Sequence, residues 1–248
     1  MLSGNANAPY AYVIQDPLKQ ARDFAKAMDI ENYEKLDSKS LAKFLRASNP
    51  KSLIDACDSF KFFSVDPMTI SRPVVEDCST NNGFLCEDPV DSWKNGNFAK
   101  VPILTGFMEQ DGAIRAINII ENKTQLSEIN KRFDELLIKL MEVENPSAEI
   151  NAKNLKAITE RYFNGISEVS ETSGSSGNSS FYNLIKMYTE RAFIAPLYNT
   201  LQQIDQLENK ISAYVYKFSF KGPLSYSVFF TGKPHNYGPV HCKLNFKI

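Results

Sequence analysis

The chain has two histidines, His235 and His241, and two acids of interest, Glu109 and Asp111, in a loop that follows a β-prone apolar run. A carboxylate that orients an imidazole, and an imidazole that takes a proton from a nucleophile, are two of the three parts of a nucleophile–base–acid relay. The third part is not spelled. No Gly-x-Ser-x-Gly occurs, and Gly174-Ser175-Ser176-Gly177 is a Ser/Gly tract of the wrong spacing with no strand before it. Taken alone the constellation is common, and the plainer reading is a surface Asp at an Asp-Gly turn with a hydrogen-bonded structural histidine. Other chemistry is excluded more firmly: there is no Gly-x-Gly-x-x-Gly, no phosphate loop, no His-Glu-x-x-His and no Cys-x-x-Cys. No metal or nucleotide cofactor is expected.

The elements that must position these residues alternate between helix and short strand. Asp16-Pro17 pairs an N-cap acceptor with proline at the first helical position, and Leu18, Ala21, Phe24, Ala25 and Met28 then recur at helical spacing. A helix from about Pro17 to Met28 follows. Ser38 opens a second amphipathic segment, and Asn49-Pro50 repeats the cap signature before Leu53, Ile54 and Cys57. Residues 60–102 carry Pro, Asp, Asn and Gly clusters that read as surface loops. Val101 to Phe107 reads as a strand buried on both faces of a parallel sheet, and Ala213 to Phe220 as a second strand. Between them the spacing predicts one long helix over Thr124 to Val143, another from about Ala148 to Phe163 and a third from about Phe181 through Phe193, after which Pro196-Leu197 leads into a further helical stretch ending near Leu207. In an open α/β sheet, reactive groups gather beyond the carboxyl ends of strands, which is where both acids and both histidines fall.

With 28 Lys+Arg against 29 Asp+Glu the 248-residue chain has a formal charge of −1, and no basic run stands out, so an electrostatic nucleic-acid binder is excluded. The 43% hydrophobic and 23% charged residues fit a globular protein large enough for a sizeable core. No stretch of about 18 apolar residues is present to span a membrane. The opening residues Met1 to Pro9 lack the basic start and apolar stretch of a signal peptide. Two sequons, at Asn122 and Asn178, would suit a secreted protein. Cys78 and Cys86 bracket a short polar loop, giving a small disulfide in an oxidising compartment and two loop thiols in a reducing one. Cys57 reads as a small buried hydrophobe.

Several blocks carry a resemblance. Leu2-Ser3-Gly4-Asn5-Ala6-Asn7-Ala8-Pro9-Tyr10, Arg72-Pro73-Val74-Val75-Glu76, Asn95 to Gly106, Phe107 to Gly112, Tyr188 to Leu197 and Gly238-Pro239-Val240-His241 resemble, in order, segments of the type-B carboxylesterases, especially those of insects. The cholinesterases and the noncatalytic neuroligins share these blocks. The resemblance implies an α/β fold, the C-terminal part of an α/β-hydrolase with the later strands of its sheet and their flanking helices. Residues 1–248 would then be the C-terminal portion of a single carboxylesterase domain, with the half bearing the nucleophile elbow and the oxyanion loop lying upstream of Met1.

The family orders its triad as Ser, acid, His. By that pattern Asp111 matches the acid, where most relatives carry Glu, and His241 in its Gly-x-x-His block matches the base. His235 becomes a bystander, and Glu109 stands two residues off. After His241-Cys242 the family continues with acidic residues, whereas this chain reads Lys243-Leu244-Asn245-Phe246-Lys247-Ile248. The resemblance thus implies a serine carboxylesterase fragment, inactive alone, that acts on small carboxylic esters in the intact, secreted enzyme. The alternative is a noncatalytic, neuroligin-like adhesion protein of the same fold.

Overall fold

A computed structural model describes residues 5–80, 83–171, 179–221, 226–232 and 237–241. The sequon at Asn178, the Ser/Gly tract before it, His235 and the segment from Cys242 onward lie outside them. The chain divides into two compact units, Ala11–Pro89 and a larger one made of Met1–Tyr10 with Val90–Ile248.

The smaller unit holds three short helices, each opened by the cap its sequence spells. In α1 (Pro17–Ala27) the Asp16 side chain accepts from the Lys19 N–H at 2.8 Å, in α2 (Ser38–Ala47) Asp37 accepts from Ser40 at 2.7 Å, and in α3 (Pro50–Cys57) Asn49 accepts from Lys51 at 2.8 Å. Their buried faces bring together Ala25, Leu41 and Ala56, and the rings of Phe24 and Phe60 meet at 4.6 Å. Cys57 is only half-buried. Cys78 and Cys86 are joined as a disulfide with their Cα atoms 5.6 Å apart. The Glu76 carboxylate ties down the same loop by accepting from the Phe84 and Leu85 N–H groups, which holds it below the usual carboxylate range.

At the border of the units, α4 (Pro89–Asn95) turns through a stretch whose turn residues predict only loop. The larger unit is then built on a parallel pair, β1 (Ile103–Met108) and β2 (Ala213–Phe218), in register from Ile103 opposite Ala213 to Met108 opposite Phe218. A parallel connection must cross over, and here it does so through helices. These are α5 (Ala113–Glu121), α6 (Lys123–Lys131), α7 (Phe133–Leu140), α8 (Ala148–Phe163), α9 (Ser180–Thr189), a π turn over Glu190–Ile194 and α10 (Ala195–Gln206). Beyond β2 lies α11 (Tyr226–Thr231).

Two expectations need correction. The long helix over Thr124 to Val143 breaks at Arg132, whose backbone leaves helical geometry at φ −118° and ψ 30°. On either side of the break the burial differs: α6 buries Ile129 alone, while α7 buries Phe133, Leu136, Leu137, Ile138 and Leu140. Nor is β1 buried on both faces: Leu104 is 44% exposed, and Tyr214 and Val215 of β2 are also open. The core lies instead among α5, α7, α8 and α9, where Ile119, Leu136, Leu140, Leu184, Ile185, Met187 and Tyr188 are fully buried.

Candidate active site

The acid comes from the turn that ends β1. Glu109 continues the ladder by donating its N–H to the Phe218 carbonyl at 3.1 Å, after which the chain leaves the sheet and starts α5 at Ala113. Asp111 sits inside this turn, 2% exposed. Its Oδ2 accepts the Met108 N–H at 2.6 Å, so the carboxylate is fixed by the last residue of the strand it follows. Gly112 donates its N–H to the Thr189 hydroxyl at 2.8 Å, pinning the turn against α9. A side chain at Gly112 would meet the Ile185 carbonyl and the Thr189 nitrogen, so this close approach requires glycine.

The histidine that meets this carboxylate comes from residues 237–241. Gln110 donates its N–H to the Pro239 carbonyl at 3.2 Å and forms a parallel bridge with Val240, laying this segment beside the acid turn. Gly238 takes φ +104° there, with the Gln110 side chain against it. At the start of the segment the buried Tyr237 hydroxyl donates to Glu121 at the end of α5. Burial and this bond push the phenol well above its ordinary range. At the end of the segment His241 Nδ1 lies 2.8 Å from Asp111 Oδ1.

A carboxylate oxygen accepts, so the proton of this bond is on Nδ1, and in the neutral imidazole the lone pair is then on Nε2. Asp111 is thus fully engaged by Met108 and His241, while the His241 side chain remains 34% exposed. The Phe193 ring stands 5.2 Å from the imidazole and 6.1 Å from the ring of Tyr10. Burial, helped by the Asp111 charge and opposed by Arg115, raises the Tyr10 phenol above its usual value. Arg115 itself is buried, with its guanidinium 4.5 Å over the Tyr188 ring.

Of the sequence candidates, the structure brings Asp111 and His241 together and leaves Glu109 out. Glu109 pairs instead with Lys217 at 2.6 Å, on a groove of about 430 Å³ that neither Asp111 nor His241 lines. Thr189, Tyr237 and Phe193, which frame the pair, are invisible to spacing arguments, since each acts through a partner distant in sequence. Among the described residues no three His, Cys, Asp or Glu side chains gather to hold a metal ion, and no helix is long and apolar enough to cross a membrane.

Comparison with known proteins decides the family. A family model described as the carboxylesterase family matches residues 1–245. The chain belongs to the carboxylesterase family. With it comes the α/β-hydrolase fold, to whose sheet β1 and β2 belong. The juvenile hormone esterase of Tribolium castaneum is 30% identical over 213 residues, which are 83% of this chain and 35% of the relative. Esterase-5A of Drosophila miranda is 31% identical over 121 residues, 49% of this chain and 21% of the relative. Esterase P of Drosophila melanogaster is 33% identical over 84 residues, 34% of this chain and 15% of the relative. The matched stretches therefore span about a third, or less, of the length of these esterases.

Proposed function

We propose that this chain supplies the acid and base of a serine-type carboxylic ester hydrolase. The observation that carries the reading is the 2.8 Å contact between a buried carboxylate and the Nδ1 of a partly exposed imidazole. In this mechanism Asp111 holds His241 in the tautomer whose Nε2 is free, and Nε2 takes the proton of a serine hydroxyl as the oxygen attacks the ester carbonyl. Asp111 stabilises the imidazolium that forms. The same Nε2–H then protonates the departing alkoxide, and an acyl-enzyme remains for water to hydrolyse.

The serine and the oxyanion donors come from a carboxylesterase segment outside this sequence, and without them the acid–base pair gives no turnover. The substrate class is a small carboxylic ester. A secreted protein is proposed from the insect esterase relatives, and it agrees with the Cys78–Cys86 disulfide. Asn122 is then a glycan acceptor: it is exposed, and its Oδ1 is the side-chain atom that caps α6.

The test is turnover of a generic aryl ester together with organophosphate labelling, on the chain alone and on a version extended upstream to include a Gly-x-Ser-x-Gly elbow. Labelling and turnover in the extended protein alone are expected. If both proteins fold and neither is labelled, the catalytic reading fails and a noncatalytic binding role replaces it.

A further inference from the structure

A single hydrogen bond does not fix an imidazole. It sets the position of Nδ1 but leaves the ring free to swing about that contact, and the direction of Nε2 swings with it. His241 has the Asp111 bond on one side and is one-third open to solvent, so whatever else touches the ring decides where Nε2 points. Among the described residues, the aromatic ring that meets it is Phe193, tilted at 45° with centroids 5.2 Å apart.

Phe193 lies in an unusual place. Helices α9 and α10 run on from each other through the π turn Glu190–Ile194, in which the Ala195 N–H reaches back to the Glu190 carbonyl. Such turns insert one residue into the helical ladder and recur where a side chain must be aimed. Each added residue rotates everything beyond it by about 100° around the axis. Before the turn, Thr189 uses its hydroxyl on Gly112, beside the acid; four positions later Phe193 meets the base. After it, α10 needs a different face to bury Pro196, Leu197, Thr200 and Ile204. The wide turn reconciles these demands within one helical run. Tyr10 is a second ring neighbour of Phe193, with centroids 6.1 Å apart.

We propose that Phe193 is a positioning residue for His241: the π turn aims its ring at the imidazole so that Nδ1 stays on Asp111 and Nε2 keeps one direction. The inference rests on the acid–base reading above and goes beyond it, because it assigns a role to a residue that never touches the substrate's reacting atoms.

The chain's two histidines make the test direct. The full chain, labelled with ¹⁵N, reports imidazole tautomers through the shifts of each ring nitrogen, and His235→Gln assigns the His241 signals. The unsubstituted chain is expected to show His241 protonated at Nδ1, with Asp111→Asn abolishing that signature. Phe193→Ala, or the better-filling Phe193→Leu should the first not fold, is expected to lose the single Nδ1–H tautomer and give averaged shifts. Phe193→Tyr, which keeps the ring, is expected to restore it. Protection of the Gln110 amide, which donates to Pro239, is read in the same samples as the measure of loop docking.

Survival of the tautomer without the aromatic ring overturns the proposal, as does its loss together with Gln110 protection, which would mean that Phe193 merely packs the loop. Absence of the Nδ1–H tautomer in the unsubstituted chain is a different failure, and it removes the acid–base reading itself.

Discussion

Thr189 holds the acid turn from behind: its hydroxyl accepts the Gly112 N–H at 2.8 Å while donating to the Ile185 carbonyl at 2.8 Å. Thr189 is 2% exposed, so no water replaces it. Thr189→Val keeps the shape and strands the Gly112 N–H, which should destabilise the fold by about 1–3 kcal/mol. Thr189→Ser should recover most of that. Urea midpoints at unchanged slope measure both; equal stability of the Val and Thr proteins would show that the turn does not depend on this bond.

Asp111→Asn presents a sharper case, because the carboxylate accepts on both oxygens, from Met108 N–H and from His241 Nδ1–H. An amide has one oxygen and one NH₂, so it satisfies one partner and opposes a donor to the other. With its oxygen on Met108, the NH₂ faces Nδ1 and drives His241 into the wrong tautomer. In the serine-bearing esterase this should lower kcat on the order of 10⁴-fold, the scale measured for the same change in a serine protease triad. A loss below tenfold would show that Asp111 does not orient the base.

Local chemistry is what the sequence displays most openly. Asp16-Pro17 and Asn49-Pro50 announce α1 and α3 because a cap is a contact between residues two or three apart. The apolar runs at Ile103 and Ala213 announce strands, but the exposure of Leu104 depends on what covers the sheet and is written in no single segment. The break at Arg132 and the π turn at Glu190 are hidden for the same reason, since both answer to faces buried elsewhere. Asp111 and His241 are 130 positions apart and meet where Gln110, just past the β1–β2 ladder, pairs with the 237–241 segment. Spacing alone left Asp111 and Glu109 both open, and only the family resemblance singled out Asp111. The ion pair to Lys217 that engages Glu109 needed the register of the strands.

Stability should fall at both ends of the pH scale through one cluster. The Tyr162 hydroxyl donates to Glu190 at 2.7 Å, and Arg161 donates to the same oxygen at 2.6 Å. Burial first, and then the bond to Glu190, push Tyr162 up to about 12 from 10.0. The unfolded chain therefore loses this proton first, so the contribution is whole below pH 10 and is lost as pH rises toward 12. For Glu190, burial acts upward but is outweighed by the bonds from Tyr162 and Arg161, which leave it below 4.5. Its contribution is present above that value and is lost as pH falls through the lowered one. Tyr162→Phe should flatten the alkaline loss and weaken the acidic one in urea midpoints taken across pH; an unchanged alkaline slope would contradict the assignment.

Asn122 should carry two separable roles on one side chain. Its Oδ1 accepts the Thr124 and Gln125 N–H groups at 2.9 and 3.2 Å, capping α6, while a glycan attaches through Nδ2. Glycosylation and capping are therefore compatible at the same residue. Asn122→Asp should remove the glycan and keep the cap, whereas Asn122→Ala should remove both and destabilise the helix by about 1 kcal/mol. Mass measurement of protein from a secreting cell reads the first role, and amide exchange at Thr124 and Gln125 reads the second. Equal exchange in the Ala and Asp proteins would show that the cap is not held by this side chain.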